Sequence, residues 1–294
     1  MTGFLQSLLD SLSFGSLFGL TALGIALVFG VMRMINFAHG ELIMVAAYSV
    51  FVLRGLPLPV TLFLSLGVAV LVALLLERAA FRPVRNAHPT TLLVTSFVAS
   101  YLLQNVVMAV AGARPKGVDV SPELLEVISL GNLRVSTIDL VTIVTSAVLI
   151  MLLWLLLSRT LIGVQMRAAA DDFLMARLLG VRANRVIAAA FAASGLLAGC
   201  VSLLLVARSG SISPTMGLTP VLVGFVAAVI GGVGSLVGAL VGGYLLGLAT
   251  VLLQTYLPSG VVGYRDGLVF GFVILILLLR PQGLLASSAE RTRV

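Results

Sequence analysis

Residues 36–41, NFAHGE, place an amide, an imidazole and a carboxylate between two apolar stretches. Ionisable groups at membrane depth are costly and by default indicate function. A helix starting here could also meet a substrate carboxylate with its N-terminal N–H groups. A local interpretation is equally open, with Asn36 as the N-cap and Glu41 beside the positive helix end. The candidates for a translocation pathway or gate are Asn36, Phe37, His39, Gly40 and Glu41.

Residues 166–180, MRAAADDFLMARLLG, form a second group, predicted to be an interrupted helix outside the hydrocarbon. Its apolar residues can share one helical face, and Gly180 stands where a left-handed C-cap would end the helix. That face comprises Ala170, Phe173, Leu174 and Leu178. The segment either rests on the bilayer or docks on a soluble partner, and its paired acids favour docking. The docking candidates are Arg167, Asp171, Asp172, Phe173, Ala176, Arg177, Leu179 and Gly180.

Glycine and other small residues recur every four positions in 231–247, GGVGSLVGALVGGYLLG. This spacing favours close approach of helix backbones in lipid, so packing is the first interpretation. A hinge or gate at Gly231, Gly232, Gly234 and Ser235 is the second. The uncharged polar pair Gln104 and Asn105 favours hydrogen bonds between helices over substrate contact.

Enzymatic chemistry has little support in this chain. The only lysine, Lys116, precedes a glycine and cannot complete the Gly-Lys-Ser/Thr of a Walker A loop, so ATP hydrolysis must come from another chain. His39, His88 and the single Cys200 are far apart, which disfavours a catalytic triad or a metal site. No cofactor is expected.

Composition identifies the elements that must position these groups. The chain is 60% hydrophobic and 10% charged, with a mean hydropathy of +1.19. These values indicate an all-α, polytopic membrane protein rather than a soluble one. The net charge of +7 is explained by arginines in short loops, so nucleic acid binding is not expected. No cleaved signal peptide is predicted, and residues 1–294 read as a single transmembrane domain.

Hydropathy predicts about eight or nine membrane or half-membrane helices. The spans are 9–31, 39–54, 57–76, 90–112, 137–157, 186–207 and 266–280, with 219–256 divided at the glycines 231–235. Arginines cluster after the third span, in 158–185 and at the C-terminus, whereas 113–136 also carries acids. The positive-inside rule therefore places the arginine clusters and the C-terminus in the cytoplasm, and the N-terminus outside.

Six stretches together resemble the permease subunits of ABC importers for branched-chain amino acids, the LivH-like group. They appear in the family's order over residues 10–285. They are NFAHGE (36–41), ERAAFRPVR (77–85), RAAADD with the following Ala176 and LGV (167–181), GGVGS (231–235), YRD (264–266) and RPQGL (280–284).

The resemblance implies a prokaryotic inner-membrane assembly. This chain would pair with a second, homologous permease, two ATP-binding cassette subunits and an extracytoplasmic binding protein. Residues 158–185 would contain the cytoplasmic coupling segment, and this chain would not contact ATP. Phe18, Ile25, Phe81 and Val223 depart from residues common in the family. The implied substrates are leucine, isoleucine and valine, and relatives that move urea, short amides or other small solutes provide an alternative.

Two other classes of function compete with this one. A secondary transporter would use His39 and Glu41 for protons, but no inverted repeat is evident in the sequence. A passive channel or membrane scaffold would also show the regular glycine spacing.

Overall fold

The computed structural model describes residues 2–118, 126–130, 133–258, 260–280 and 283–285. Parts of three segments used above lie outside them. These are 119–125 and 131–132 of the acidic loop, Pro281 with Gln282 of the last motif, and 286–294 with the C-terminal Arg291 and Arg293. The helices are α1 (Thr2–Met32), α2 (His39–Val52), α3 (Leu58–Leu76), α4 (Arg82–Val84), α5 (Pro89–Ala111), α6 (Thr137–Arg159), α7 (Leu161–Asp171), α8 (Phe173–Leu178), α9 (Ala183–Ser209), α10 (Leu218–Gly231), α11 (Leu236–Tyr256) and α12 (Arg265–Leu279). The strands are β1 (Lys116–Gly117), β2 (Val127–Leu130), β3 (Leu133–Ser136) and β4 (Ser211–Ile212).

The predicted all-α membrane fold is confirmed. Six helices in the described part of the chain are long and apolar enough to cross a membrane. They are Phe4–Met32, Leu58–Val84, Pro89–Ala111, Thr137–Arg159, Ala183–Ser209 and Leu236–Tyr256. Three shorter apolar helices are His39–Val52, Leu218–Gly231 and Gly267–Leu279. The glycines 231–235 divide α10 from α11, as predicted.

The third span is longer than predicted, because a π-helical turn (Glu77–Phe81) carries α3 directly into α4. Phe81 and Phe191 of α9 are both fully buried, with ring centroids 5.3 Å apart, and they hold this continuation against the bundle. The arginines after the third span were expected in a short loop. Arg78 and Arg82 instead lie in helical structure, so the expectation was wrong for these two residues.

Helix α1 lies at the centre of the bundle. In the most apolar part of its membrane span, 78% of the residues are buried inside the bundle, compared with 11% for the span of α5. Gly243 and Gly247 of α11 lie directly against Gly19 and Gly15 of α1, so that no Cβ would fit between these backbones. The packing interpretation of the small residues in 231–247 is therefore confirmed.

The two ends of the bundle carry different structures. At one end, the β end, β1 pairs with β4 in antiparallel register (Lys116 opposite Ile212), and the β2–β3 hairpin leads into α6. The opposite end carries α7 and α8, and there Arg85 donates a hydrogen bond to the side chain of Asn184 at the start of α9.

Candidate functional site

Two short helices start inside the bundle and run towards opposite ends. The first residues of α2 and the residue before α10 lie in backbone contact, since a Cβ on Gly40 or on Gly217 would collide with the other residue's carbonyl. The ring of His39 lies against Gly24 of α1, eight residues before Met32 and so about 12 Å from that helix end. The N-termini of α2 and α10 therefore meet at an intermediate depth, as in the broken helices of transporters.

The polar side chains of 36–41 are buried at this meeting point. Asn36, His39 and Glu41 are each no more than 1% exposed. The Nδ1 atom of His39 lies 2.9 Å from the hydroxyl of Ser194, and Ser100 Oγ donates to Glu41 Oε1 at 2.8 Å. One polar atom of each side chain (Asn36 Nδ2, His39 Nε2 and Glu41 Oε2) has no hydrogen-bond partner among the described residues. Buried polar atoms of this kind are costly and need an explanation.

The local capping interpretation of Asn36 needs correction. The first residue of α2 is His39, so Ala38 holds the cap position and makes no side-chain hydrogen bond there. Asn36 Oδ1 instead accepts from the Ala38 N–H at 3.1 Å, which closes an Asx-type turn before the helix. Glu41 does lie in the first turn of α2.

Phe37 connects the start of α2 to two other helices. Its ring stacks on Phe97 of α5 with centroids 4.4 Å apart, and it is tilted against Phe225 of α10 at 5.7 Å. The turn into α2 is therefore held both by these aromatic contacts and by the Gly40–Gly217 contact.

The turn 231–235 lies nearer the α7–α8 end than residues 36–41 do. Gly232 and Gly234 have φ values of 107° and 95°, which explains why glycine is needed at these positions. Ser235 caps α11 by accepting from the Gly238 N–H at 3.0 Å. The backbone N–H groups of Leu284 and Leu285 donate to the Ile230 and Gly231 carbonyls at 2.8 and 3.0 Å.

The two candidate groups thus lie at successive levels along α1, with His39 beside Gly24 and Gly234 beside Phe29. Two other glycines of α11 pack on α10, because Gly238 lies against Gly231 and Gly242 lies against Ala227. Whether the turn also acts as a hinge stays a prediction.

The segment 166–180 consists of two helices that break at Asp172. Its side chain caps α8 by accepting from the Met175 N–H at 2.9 Å. Gly180 has φ 89°, and the Val181 N–H donates to the Ala176 carbonyl at 3.0 Å. The left-handed C-cap predicted at Gly180 is therefore confirmed.

The expectation of one continuous apolar face was wrong, because the break at Asp172 changes the direction of the chain. Phe173 is half-buried and packs against the core, and Ala170 is half-buried, whereas Leu174 and Leu178 are exposed. The inward face is formed by Gly163, Met166, Ala169 and Ala176. The outward face carries the apolar Leu174, Met175, Leu178 and Leu179 beside the charged Arg167, Asp171, Asp172 and Arg177.

Arg33 connects α7 to the end of α1. It has φ 53°, the only positive φ of a residue other than glycine in the described chain. Its Nη2 donates to the carbonyl of Ala170 at 2.6 Å. Ala170 lies in the last turn of α7, so this hydrogen bond connects the end of α7 to the residue that follows α1.

The sequence interpretation missed an ion pair near the β end. Arg208 of α9 pairs with Asp139 of α6, and Ser13 of α1 donates to the same carboxylate at 2.7 Å. The guanidinium also lies 4.3 Å from the ring centroid of Phe14. The sequence signal that could have revealed this pair was Asp139 at the start of one apolar span and Arg208 at the end of another.

Hydrogen bonds between helices were predicted for the amide pair of α5. Gln104 donates to the carbonyl of Pro214, outside its own helix, at 3.3 Å. Asn105 donates to the carbonyl of Tyr101 in its own helix at 2.7 Å. Because Pro214 lies in the connection between β4 and α10, neither bond joins two helices, and the expectation was wrong. Among the described residues, no group of three or more His, Cys, Asp or Glu side chains could hold a metal ion.

Comparisons with known proteins agree with this architecture. The sequence profile of a family described as "Branched-chain amino acid transport system / permease component" matches residues 7–279. The chain is 34% identical to the high-affinity branched-chain amino acid transport system permease protein BraD of Pseudomonas aeruginosa, over 96% of this chain and 95% of that protein. It is 32% identical to the corresponding protein LivH of Escherichia coli K12, with the same coverage of both chains. A shorter similarity, 34% identity over 38% of the chain, relates it to the fructose import permease protein FrcC of Rhizobium meliloti.

Proposed function

The chain belongs to the family of permease components of branched-chain amino acid transport systems, and from this premise we propose that it is the membrane-spanning subunit of an ATP-driven importer for leucine, isoleucine and valine. Its relatives are membrane permeases rather than enzymes. The proposal assigns ATP hydrolysis to two separate cassette subunits. It assigns delivery of the solute to an extracytoplasmic binding protein.

The observation that carries this proposal is the outward face of α7 and α8. Leu174, Leu178 and Leu179 are 67%, 73% and 81% exposed, next to the charged Asp171 and Arg177. Exposed apolar groups bordered by charges are typical of a surface that binds a partner. We assign this face to the cassette subunit, in preference to the membrane surface, because the paired acids would be repelled by anionic headgroups.

The contact between Arg33 and Ala170 provides a route from this face into the bundle. Movement of α7 on a closing cassette would pull on the end of α1, against which the rest of the bundle packs. The turn 231–235 lies at the same end, since Gly30, Arg167 and Gly234 line one small void. We propose that this turn and the end of α1 move together when the pathway opens.

We propose that residues 36–41 form the gate. A zwitterion crosses hydrocarbon only at great cost, so the pathway must offer polar groups at depth. The buried Asn36, His39 and Glu41 at the meeting of α2 and α10 supply such groups. The close contact of Gly40 with Gly217 would then correspond to a closed gate.

The orientation follows from the charges. Arg33, Arg85, Arg167 and Arg177 lie at the α7–α8 end, so the positive-inside rule puts that end in the cytoplasm of a prokaryotic cell. The β end and the N-terminus are then outside. The assembly would be completed by a second, homologous permease.

Reconstitution tests the proposal. Vesicles containing this chain, its partner permease, the two cassettes and the binding protein should take up labelled leucine only with ATP. Complexes with hydrolysis-deficient cassettes serve as the control. Uptake by this chain alone, or uptake driven by a pH gradient without nucleotide, would refute an importer permease. ATP-dependent uptake of labelled urea or a short amide, without uptake of leucine, would keep the importer class and replace the substrate.

A further inference from the structure

A cavity of about 610 Å³ opens near the β end. It is lined by residues of α1, α9, α10, α11 and α12 and of the connection from α9 to α10. This volume is within the range of small-molecule sites. None of the residues in 36–41 or 231–235 lines it, so it is separate from the candidate gate.

The lining is polar at one end and apolar at the other. Ser209, Ser211 and Arg265 line the cavity at the β end, and Nη1 of Arg265 donates to Gln254 Oε1 at 2.9 Å. The deeper part is lined by Phe18 of α1, Val223 of α10, Leu246 of α11 and Val269 of α12.

The cavity ends beside the contact of the two short helices. Met216 and Thr219, on either side of Gly217, both line it, and Gly217 is the residue that touches Gly40. A solute in the cavity would therefore rest directly above the proposed gate.

We propose that this cavity is an outward-facing site for a small aliphatic α-amino acid, which places its carboxylate near Arg265 and its side chain against Phe18 and Val223. The inference rests on the proposed import function and adds a binding site to it. An acyl chain fits this lining poorly, because the guanidinium of Arg265 and the hydroxyls of Ser213 and Thr219 would face hydrocarbon. An amino acid matches both ends of the cavity.

Single cysteines test the site in the assembled transporter. In a Cys200→Ala background, Val223→Cys places the only thiol of this chain in the cavity. Val148→Cys is the matched control, since Val148 lies midway along α6 and faces outward with 51% exposure. A membrane-impermeant thiol reagent added outside should label V223C at least about tenfold faster than V148C, because a thiolate in water reacts and a thiol in lipid does not.

Leucine then identifies the ligand class. At ten times its dissociation constant, leucine should slow labelling of V223C about tenfold, because only the empty fraction reacts. Leucinamide, which lacks the carboxylate, should protect more weakly. In a chain that also carries Arg265→Gln, leucine and leucinamide should protect about equally, because the ionic contact is lost.

The outcomes separate this site from the function on which it rests. Slow labelling of V223C, labelling only from the inside, or no protection by leucine in a complex that still imports leucine would overturn the cavity site alone. A complex with no ATP-dependent import would overturn the function. Protection by urea but not by leucine would overturn the assignment to an amino acid.

Discussion

Gly40 and Gly217 touch through their backbones where α2 and α10 begin, although 177 positions separate them in the sequence. No side chain of any size fits at this contact. Substitutions here therefore test whether the two short helices must meet.

Gly217→Ala should destabilise the bundle by about 1–3 kcal/mol, because the new methyl group overpacks a backbone contact. Gly67→Ala in α3 is the control, since a Cβ there meets nothing within 4 Å. That change should be neutral or stabilise the helix by up to about 1 kcal/mol. Thermal unfolding in detergent measures both, and equal melting temperatures for the two variants would contradict the contact.

Arg33→Gly should lower uptake per ATP hydrolysed without lowering stability. The change removes the hydrogen bond to Ala170, but glycine adopts the left-handed conformation of this position more easily than arginine does. Paired measurements of leucine uptake and ATPase rate test this, with Arg33→Lys as a charge-conserving control. Full coupling in R33G would show that the contact transmits nothing.

Leu178→Glu should weaken assembly with the cassette subunit at least about tenfold, the effect expected for a central residue of an interface. The bundle itself should keep its melting temperature, because Leu178 is 73% exposed. Phe173→Ala should do the opposite and destabilise the bundle, since Phe173 packs against the core. Co-purification and thermal unfolding separate the two effects. Normal assembly of L178E would remove α8 from the interface.

Asp139→Asn should cost about 3 kcal/mol of stability, because it leaves the partly buried charge of Arg208 without its counter-ion. The double variant with Arg208→Met should recover most of the loss, since no unpaired charge remains. If both variants melt like the parent chain, the pair contributes nothing to the fold.

The helices could be predicted from hydropathy, because each apolar run must satisfy its own backbone in lipid whatever it touches. The close packing of 231–247 was likewise visible in the local spacing of small residues. An interrupted helix was predicted for 166–180, but the position of the break at Asp172 was harder to see, since its signal is one capping side chain inside a helical pattern. Because of this break, Phe173 packs against the core, whereas Leu178 is exposed.

Contacts between distant segments could not be predicted in this way. Residues 36–41 were recognisable as an unusual polar group, but nothing near them in the sequence indicates Gly217 or Ser194. The residues lining the cavity come from separate elements and share no spacing, so only the folded chain brings Phe18 and Arg265 to one space.

The hydrogen bonds from Leu284 and Leu285 to the last carbonyls of α10 bear on biosynthesis. When α10 leaves the ribosome, the residues that will bind those carbonyls have not yet been translated. These hydrogen bonds at the end of α10 can form only after about 50 further residues, including α11 and α12, have been synthesised. The docking of residues 284–285 on the end of α10 is therefore expected among the last events of folding in the membrane.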